Sequence, residues 1–291
     1  MTAGAVVANA RALASMVKLS HTVFALPFAL LSLLTATAGR PSLRLLGSVV
    51  FAVVAARTAA MAYNRYADRS IDARNPRTSS REIPRGAVSA RSALTLVAIA
   101  SLAFLLISWS LAPLCGWLAI PTLAWLLGYS HVKRFSALCH LWLGVALGIS
   151  PLAAWLTVDG VFSARACAPA VLGGGVAFWV AGFDVLYACQ DETFDRAHGL
   201  FSLPSRLGAR RAMWCARGLH CLAVAGFAGF GLLAPLGPVF LTGVGAAAVL
   251  LAWQHRLLRP DDLSRIQMAF FTANGTIALL LFAAGCVDLY W

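Results

Sequence analysis

The chain reads as an all-α membrane protein, a polytopic bundle of nine transmembrane helices. Three observations predict this. Of its 291 residues, 60% are hydrophobic and 12% are charged, about half the charge of an ordinary soluble domain. Apolar runs such as 22–38, 93–107 and 176–183, with their flanks, approach the roughly 20 residues that carry a helix across a bilayer. Those runs do not alternate apolar with polar, so the pattern is not that of a transmembrane β-barrel.

The nine spans follow in order at 19–38, 43–66, 92–112, 114–132, 137–157, 167–189, 212–234, 236–256 and 267–289. Gly39-Arg40-Pro41 makes the first turn, and Ala112-Pro113 separates the third span from the fourth. Asp159-Gly160 closes the fifth, and Pro235 to Pro238 punctuate the seventh and eighth. Residues 1–17 form a short cytoplasmic segment, and 1–291 form a single domain. Arg11 and Lys18 precede an apolar run that reads as the first span, not as a removable signal.

The net charge of +12 does not mark a nucleic-acid partner, because the basic residues flank apolar spans. Arg65, Arg69, Arg74, Arg77, Arg81, Arg85 and Arg91 follow the second span, Lys133 and Arg134 the fourth, and Arg196, Arg206, Arg210, Arg211 and Arg217 the sixth. Arg256, Arg259 and Arg265 follow the eighth, while the alternate loops hold Arg40, Arg44 and Arg165. Cytoplasmic loops carry this excess, so the N-terminus is expected inside. Nine spans then put the C-terminus outside, with Tyr290 and Trp291 at the membrane interface.

Six of the eleven acidic residues fall in two short segments, Asn64–Asp72 and Asp184–Asp195. Carboxylates are costly beside a bilayer, so two clusters at membrane depth point to a site. Asn64, Asp68 and Asp72 are spaced i, i+4, i+8, and Asp184, Asp191 and Asp195 are spaced i, i+7, i+11. Each set projects from one helical face, where the carboxylates repel one another unless cations intervene. Paired carboxylates are the hard ligands Mg²⁺ takes alongside substrate phosphates. Both segments end spans that run inward, so both are expected on the cytoplasmic face. Arg81, Lys133 and Arg134 lie on that face and suit the remaining charge of a diphosphate. Arg57 lies inside the second span, where a guanidinium needs an anion or a polar cavity. It pairs with one of the Asp residues or clamps a substrate carboxylate, and the residues alone leave both open.

Other residues read as structural. The seven cysteines lack a CxxC pair and are expected as buried free thiols. His21, His131, His140 and His198 are expected at interfaces or in loops. Trp109, Trp117, Trp125, Trp142, Trp155, Trp179 and Trp253 are expected mainly at the interface or facing lipid. Asp261, Asp262 and Asp288 are expected as loop and end charges. A short echo, Asp68/Asp72 before Arg74 and Asp191/Asp195 before Arg196, is compatible with a duplicated four-helix unit.

These motifs resemble those of the UbiA superfamily of intramembrane aromatic prenyltransferases. An NxxxDxxxD motif ends the second span at Asn64/Asp68/Asp72, and a DxxxD motif follows the sixth at Asp191/Asp195, with Asp184 and Tyr187 upstream. A YxxxK element matches Tyr129 to Lys133. The segment from Lys18 through His21 to Pro27, with 184–191 and His198 to Pro204, is similar to the 4-hydroxybenzoate polyprenyltransferase branch. Arg65 departs from the pattern, since many members carry Asp there.

The resemblance implies a central cavity open to the cytoplasm and a location in the bacterial inner membrane. It implies Mg²⁺ on Asp68, Asp72, Asp191 and Asp195, a polyprenyl diphosphate donor bound with Asn64, Arg81, Tyr129, Lys133, Arg134 and Tyr187, and an aromatic carboxylate held by Arg57. Asp68 and Asp191 would drive ionisation, and Asp184 is the candidate general base. The acceptor is expected to be 4-hydroxybenzoate, in quinone biosynthesis. The alternatives are a dihydroxynaphthoate on a menaquinone route and, in another class, a divalent-cation transporter. A CDP-alcohol phosphotransferase would need a D-x-x-D-G-x-x-A-R signature, which the chain lacks.

Overall fold

A computed structural model describes residues 12–17 and 23–291. Among them every regular element is helical; an isolated bridge between Arg259 and Asp262 is the nearest approach to a sheet. The long helices are α1 (Leu26–Ala36) and α2 (Leu43–Ala67), followed after a short α3 (Arg69–Arg74) by α4 (Ala90–Leu111), α5 (Pro113–Val132), α6 (Cys139–Asp159) and α7 (Cys167–Ala188). Two short helices, α8 (Glu192–Ala197) and α9 (Leu203–Leu207), lead to α10 (Ala209–Leu233), α11 (Pro238–Leu257) and α12 (Asn274–Tyr290). The eight later helices begin and end within three residues of the sequence reading when the turn at Met268–Ala273 is counted with α12; α10, for example, starts at Ala209 instead of 212. The start of the first span, with Lys18 and His21, lies outside the described residues, as does Arg11.

Local chemistry sets the boundaries. Ser42 and Ser89 accept the backbone N–H of Leu45 and Ser92 and cap α2 and α4. Pro113 opens α5, where its missing N–H costs nothing, and holds the preceding residue extended, which stops α4. Gly160 ends α6 at φ 69°, a left-handed turn that suits glycine. Seven helices among the described residues are long and apolar enough to cross a membrane: α2, α4, α6, α7, α10, α11 and α12 with the turn before it.

α7 is the central element. It packs against α6 on one side and α10 on the other. On the α6 side Gly144 and Gly148 face Gly173 and Ala177, so the backbones approach closely, as small residues four apart allow. On the other side Trp179, Phe28 and Phe227 are almost fully buried; Phe28 stacks on Phe227 at 5.6 Å and meets Trp179 edge-on at 5.3 Å. The Trp179 Nε1 donates to Asn274 Oδ1 at 2.9 Å.

This corrects the interfacial reading of several tryptophans. Trp179 and Trp155 are core residues, because their helices lie inside the bundle. Trp125 and Trp142 stack at 3.8 Å, each donating to the other's carbonyl at 3.1 Å. Trp109, Trp117 and Trp253 are exposed, as expected. The cysteines are unpaired, but Cys167, Cys215 and Cys221 are exposed on outward helix faces instead of buried. Asp288 is a cap as well as an end charge: it accepts the N–H of Val239 and of Phe240, the latter at 2.6 Å, at the start of α11.

A six-residue π turn, Met268–Ala273, precedes α12. Its carbonyls are met by side chains: Asn274 donates to Ala269 and Phe270, and Gln254 to Ala269 at 2.7 Å. It seats Phe270 against Tyr187, with ring centroids 4.4 Å apart.

The α6–α7 contact sets a stability test. A Cβ built at Gly148 falls 2.4 Å from the Gly173 carbonyl oxygen, whereas one at Gly174 meets nothing within 4 Å. Gly148→Ala should destabilise the detergent-solubilised protein by about 1–3 kcal/mol, read as a lower Tm, while Gly174→Ala should leave it unchanged or raise it.

Candidate active site

The acidic segments meet at one end of the bundle. The chain stays helical across the first: Asp68 N–H bonds to the Asn64 carbonyl and Asp72 N–H to that of Asp68, so Asn64, Asp68 and Asp72 keep a common face. The second segment leaves α7 through a 3₁₀ turn, Cys189–Asp191, and enters α8. The two are bridged directly. Asn75 Nδ2 donates to Asp191 at 3.0 Å, and Arg77 adds Nε at 2.9 Å and its Nη2.

Every motif carboxylate has a partner. Asp68, 1% exposed, accepts from Lys133 Nζ at 2.6 Å, Arg134 at 3.1 Å and Asn64 Nδ2 at 2.9 Å. Asp72, also buried, accepts Arg81 on both oxygens at 2.7 and 2.9 Å. Asp195 accepts the Ser202 hydroxyl at 2.9 Å. Side-chain cations thus relieve the i, i+4 repulsion between Asp68 and Asp72, and Arg77 neutralises Asp191 beside Asp195. Among the described residues no three His, Cys, Asp or Glu side chains converge as a ready-made metal cluster.

Asp184 has a different partner. His140, buried on α6, donates Nδ1–H to Asp184 Oδ2 at 2.7 Å. Its Nε2 accepts the Leu203 backbone N–H at 3.1 Å. That acceptance puts the proton of a neutral ring on Nδ1, toward the carboxylate. This corrects the interface-or-loop reading of His140; its burial follows from its place on the inner face of α6. His131 bonds the Tyr63 hydroxyl at 2.9 Å, and His198 is an exposed loop residue.

Two adjoining cavities open here. A polar chamber of about 240 Å³ is lined by Asn64, all four motif aspartates, Arg77, Arg81 and Lys133. An apolar chamber of about 330 Å³ runs along α2, α4, α5 and α6 and carries Arg57 and Arg65 on its α2 wall. Arg81, Tyr129, Asp184 and Tyr187 line both and mark the junction. Arg134, expected to bind substrate, lines neither; it bonds the carbonyls of Ser130 and Ala67 and so fastens α2 to α5.

The sequence reading missed the roles of Asn75, Arg77, His140 and Ser202. Arg77 was hidden among loop arginines that topology alone explains. Burial works to lower its pKa, but the hydrogen bond and charge of Asp191 prevail and hold it above the ordinary arginine value.

A charged chamber adjoining an oily one has the chemistry to receive a molecule with an ionic head and a hydrocarbon body. The chain belongs to the UbiA prenyltransferase family, whose model matches residues 25–276. A relative from Aromatoleum aromaticum, named 4-hydroxybenzoate octaprenyltransferase, is 32% identical over 86% of this chain and 83% of its own. One from Synechocystis, named 4-hydroxybenzoate solanesyltransferase, is 27% identical over 88% of this chain and 86% of its own. A UbiA homologue from Aeropyrum pernix superposes with a TM-score of 0.83 at 34% identity, over 92% of this chain and 98% of that one. The fold is shared by an Archaeoglobus fulgidus homologue solved with GPP and Mg²⁺, at a TM-score of 0.72 and 17% identity over 96% and 100% of the two chains.

The bridge to Asp191 tethers the α3–α4 loop. Arg77→Ala should speed hydrogen exchange across residues 76–88 by about tenfold or more, with α6 and α7 unchanged; an unaltered loop would mean that Asn75 alone holds it.

Proposed function

We propose that this protein transfers a polyprenyl group from a polyprenyl diphosphate to 4-hydroxybenzoate, at the ring carbon beside the hydroxyl, in quinone biosynthesis. The observation that carries the reading is the junction of the two chambers. Charged groups for a diphosphate and an apolar sleeve for its tail and an aromatic ring meet at Tyr129, Asp184 and Tyr187. The names of relatives about one-third identical over most of the chain support the acceptor.

Asp68, Asp72, Asp191 and Asp195 offer carboxylate oxygens around one cavity, which is the donor chemistry of Mg²⁺ with substrate phosphates, so these residues fit that ion. Bound magnesium supplies Lewis acidity toward the diphosphate. Arg77, Arg81 and Lys133 exchange carboxylate partners for diphosphate oxygens and gather charge as pyrophosphate leaves. Asn64 supports Asp68. The apolar chamber excludes water from the allylic cation, and the tail leaves between helices into lipid. Arg57 holds the acceptor carboxylate. Asp184, at the junction and oriented by His140, accepts the proton lost from the ring carbon. A cation path across the membrane fits less well, because the acids at the far end, Asp159 and Asp288, are engaged by Arg165 and by the start of α11.

On this reading α1 and the 20-residue α5 cross the membrane along with the seven longer helices, which supports nine crossings. The polar chamber opens to the cytoplasm of a bacterial inner membrane, with the N-terminus inside and the C-terminus outside.

Membranes given Mg²⁺, a prenyl diphosphate and a panel of aromatic acids should yield prenylated 4-hydroxybenzoate by mass spectrometry. Asp68→Ala or Asp191→Ala should lower turnover at least about 100-fold, and chelation should abolish it reversibly. Transfer to another acid with none to 4-hydroxybenzoate would overturn the acceptor. For orientation, Ser80→Cys in a cysteine-free background should react with impermeant thiol reagents in inverted vesicles and not in intact cells.

A further inference from the structure

Arg65 has chemistry that the reaction so far does not use. It follows Asn64 on α2, is 6% exposed, and lines the apolar chamber with Arg57, Arg81 and Tyr129. Its Nε has no hydrogen-bond partner. Its contact is a long one, Nη1 to the neighbouring Asn64 Oδ1 at 3.5 Å. It pairs with no carboxylate among the described residues. The two whose charge reaches it are engaged elsewhere: Asp72 by Arg81 at 2.7 Å, and Glu82 by the Ser15 hydroxyl at 2.8 Å. Arg81 adds like charge. A guanidinium cannot shed its proton, and a buried charge without a counter-ion is among the costliest groups a protein can hold. Such a group, facing a cavity, calls for an anion.

That anion is not the diphosphate, since Arg65 does not line the polar chamber. Arg57 stands on the same wall eight residues deeper, about 12 Å along the axis at the helical rise per residue. An aromatic ring with a carboxylate at one end and an oxygen opposite, plus a hydrogen bond of about 2.9 Å at each end, covers a gap of that order. Given the acceptor reading above, on which this rests, we propose that Arg65 is an oxyanion subsite: it binds the acceptor's ring oxygen in its ionised form while Arg57 binds the carboxylate at the other end. The phenolic proton is released to water on binding. The acceptor then lies lengthwise, its oxygen end toward the junction, which sets the ring carbon beside that oxygen next to the polar chamber.

The test measures binding of 4-hydroxybenzoate and of benzoate, which lacks the ring oxygen, to the purified detergent-solubilised protein by calorimetry. The wild type should prefer 4-hydroxybenzoate by roughly tenfold or more, with a phenolate band in the ultraviolet difference spectrum. Arg65→Met should erase the preference and the band while leaving benzoate affinity unchanged. Arg65→Lys, which keeps the charge but loses the fork, should narrow the preference and carries the test if the Met variant does not fold. A preference that survives both substitutions overturns the subsite. So does a loss confined to the affinity for a non-hydrolysable prenyl diphosphate, which would assign Arg65 to the donor. Wild-type protein that binds neither acid overturns the acceptor reading and the subsite together, a result distinct from a surviving preference.

Discussion

A carboxylate buried among hydrocarbon must be matched by positive charge, and the ends of α2 and α7 are organised by that demand. Asp68 draws Lys133 and Arg134 from the turn after α5, Asp72 draws Arg81, and Asp191 draws Arg77. The pairs made by Lys133, Arg134 and Arg77 join chain segments distant in sequence, while Asp72 and Arg81 close a loop nine positions long. The ionic contacts therefore do structural work as well as lining a chamber: they fix where the α3–α4 loop lies and how α5 meets α2. Buried pairs of this kind contribute little net stability, but breaking one strands a charge.

The two chambers divide the labour. Polar groups crowd the mouth, and the sleeve below is apolar apart from the guanidiniums on its α2 wall and the residues at the junction. The junction needs a rigid frame. The glycine-mediated contact of α6 with α7 supplies it, since His140 rides on α6 and Asp184 on α7 and their hydrogen bond crosses that seam.

Much of the fold was legible in the sequence. Hydrophobic run length placed the helices to within a few residues, and proline, glycine and serine marked their ends. The i, i+4 spacing of Asn64, Asp68 and Asp72 held because the chain stays helical through them. Periodicity states which residues share a face but not which helix that face meets. Trp179 looked like any membrane tryptophan, and only the central position of α7 buries it. Arg77 and Arg81 belong to a loop whose basic composition orientation already accounts for, so their partners were hidden. His140 carries no spacing signal, because its partner lies 44 positions away.

The turn before α12 has a consequence for engineering and for comparing relatives. A π turn accommodates one residue more than an α-helix of the same length. Deleting a single position within 268–273 would let the segment relax to regular α geometry, releasing Asn274 and Gln254 from their carbonyls. The flanking segments would keep nearly the same relative rotation, because the turn is what absorbs the extra residue, and the change would fall on the side chains inside the turn. Phe270 would swing off Tyr187, and the aromatic wall beside the junction would be lost. Alignments that pass a gap through this stretch therefore compare sleeves of different shape, even where every flanking residue agrees.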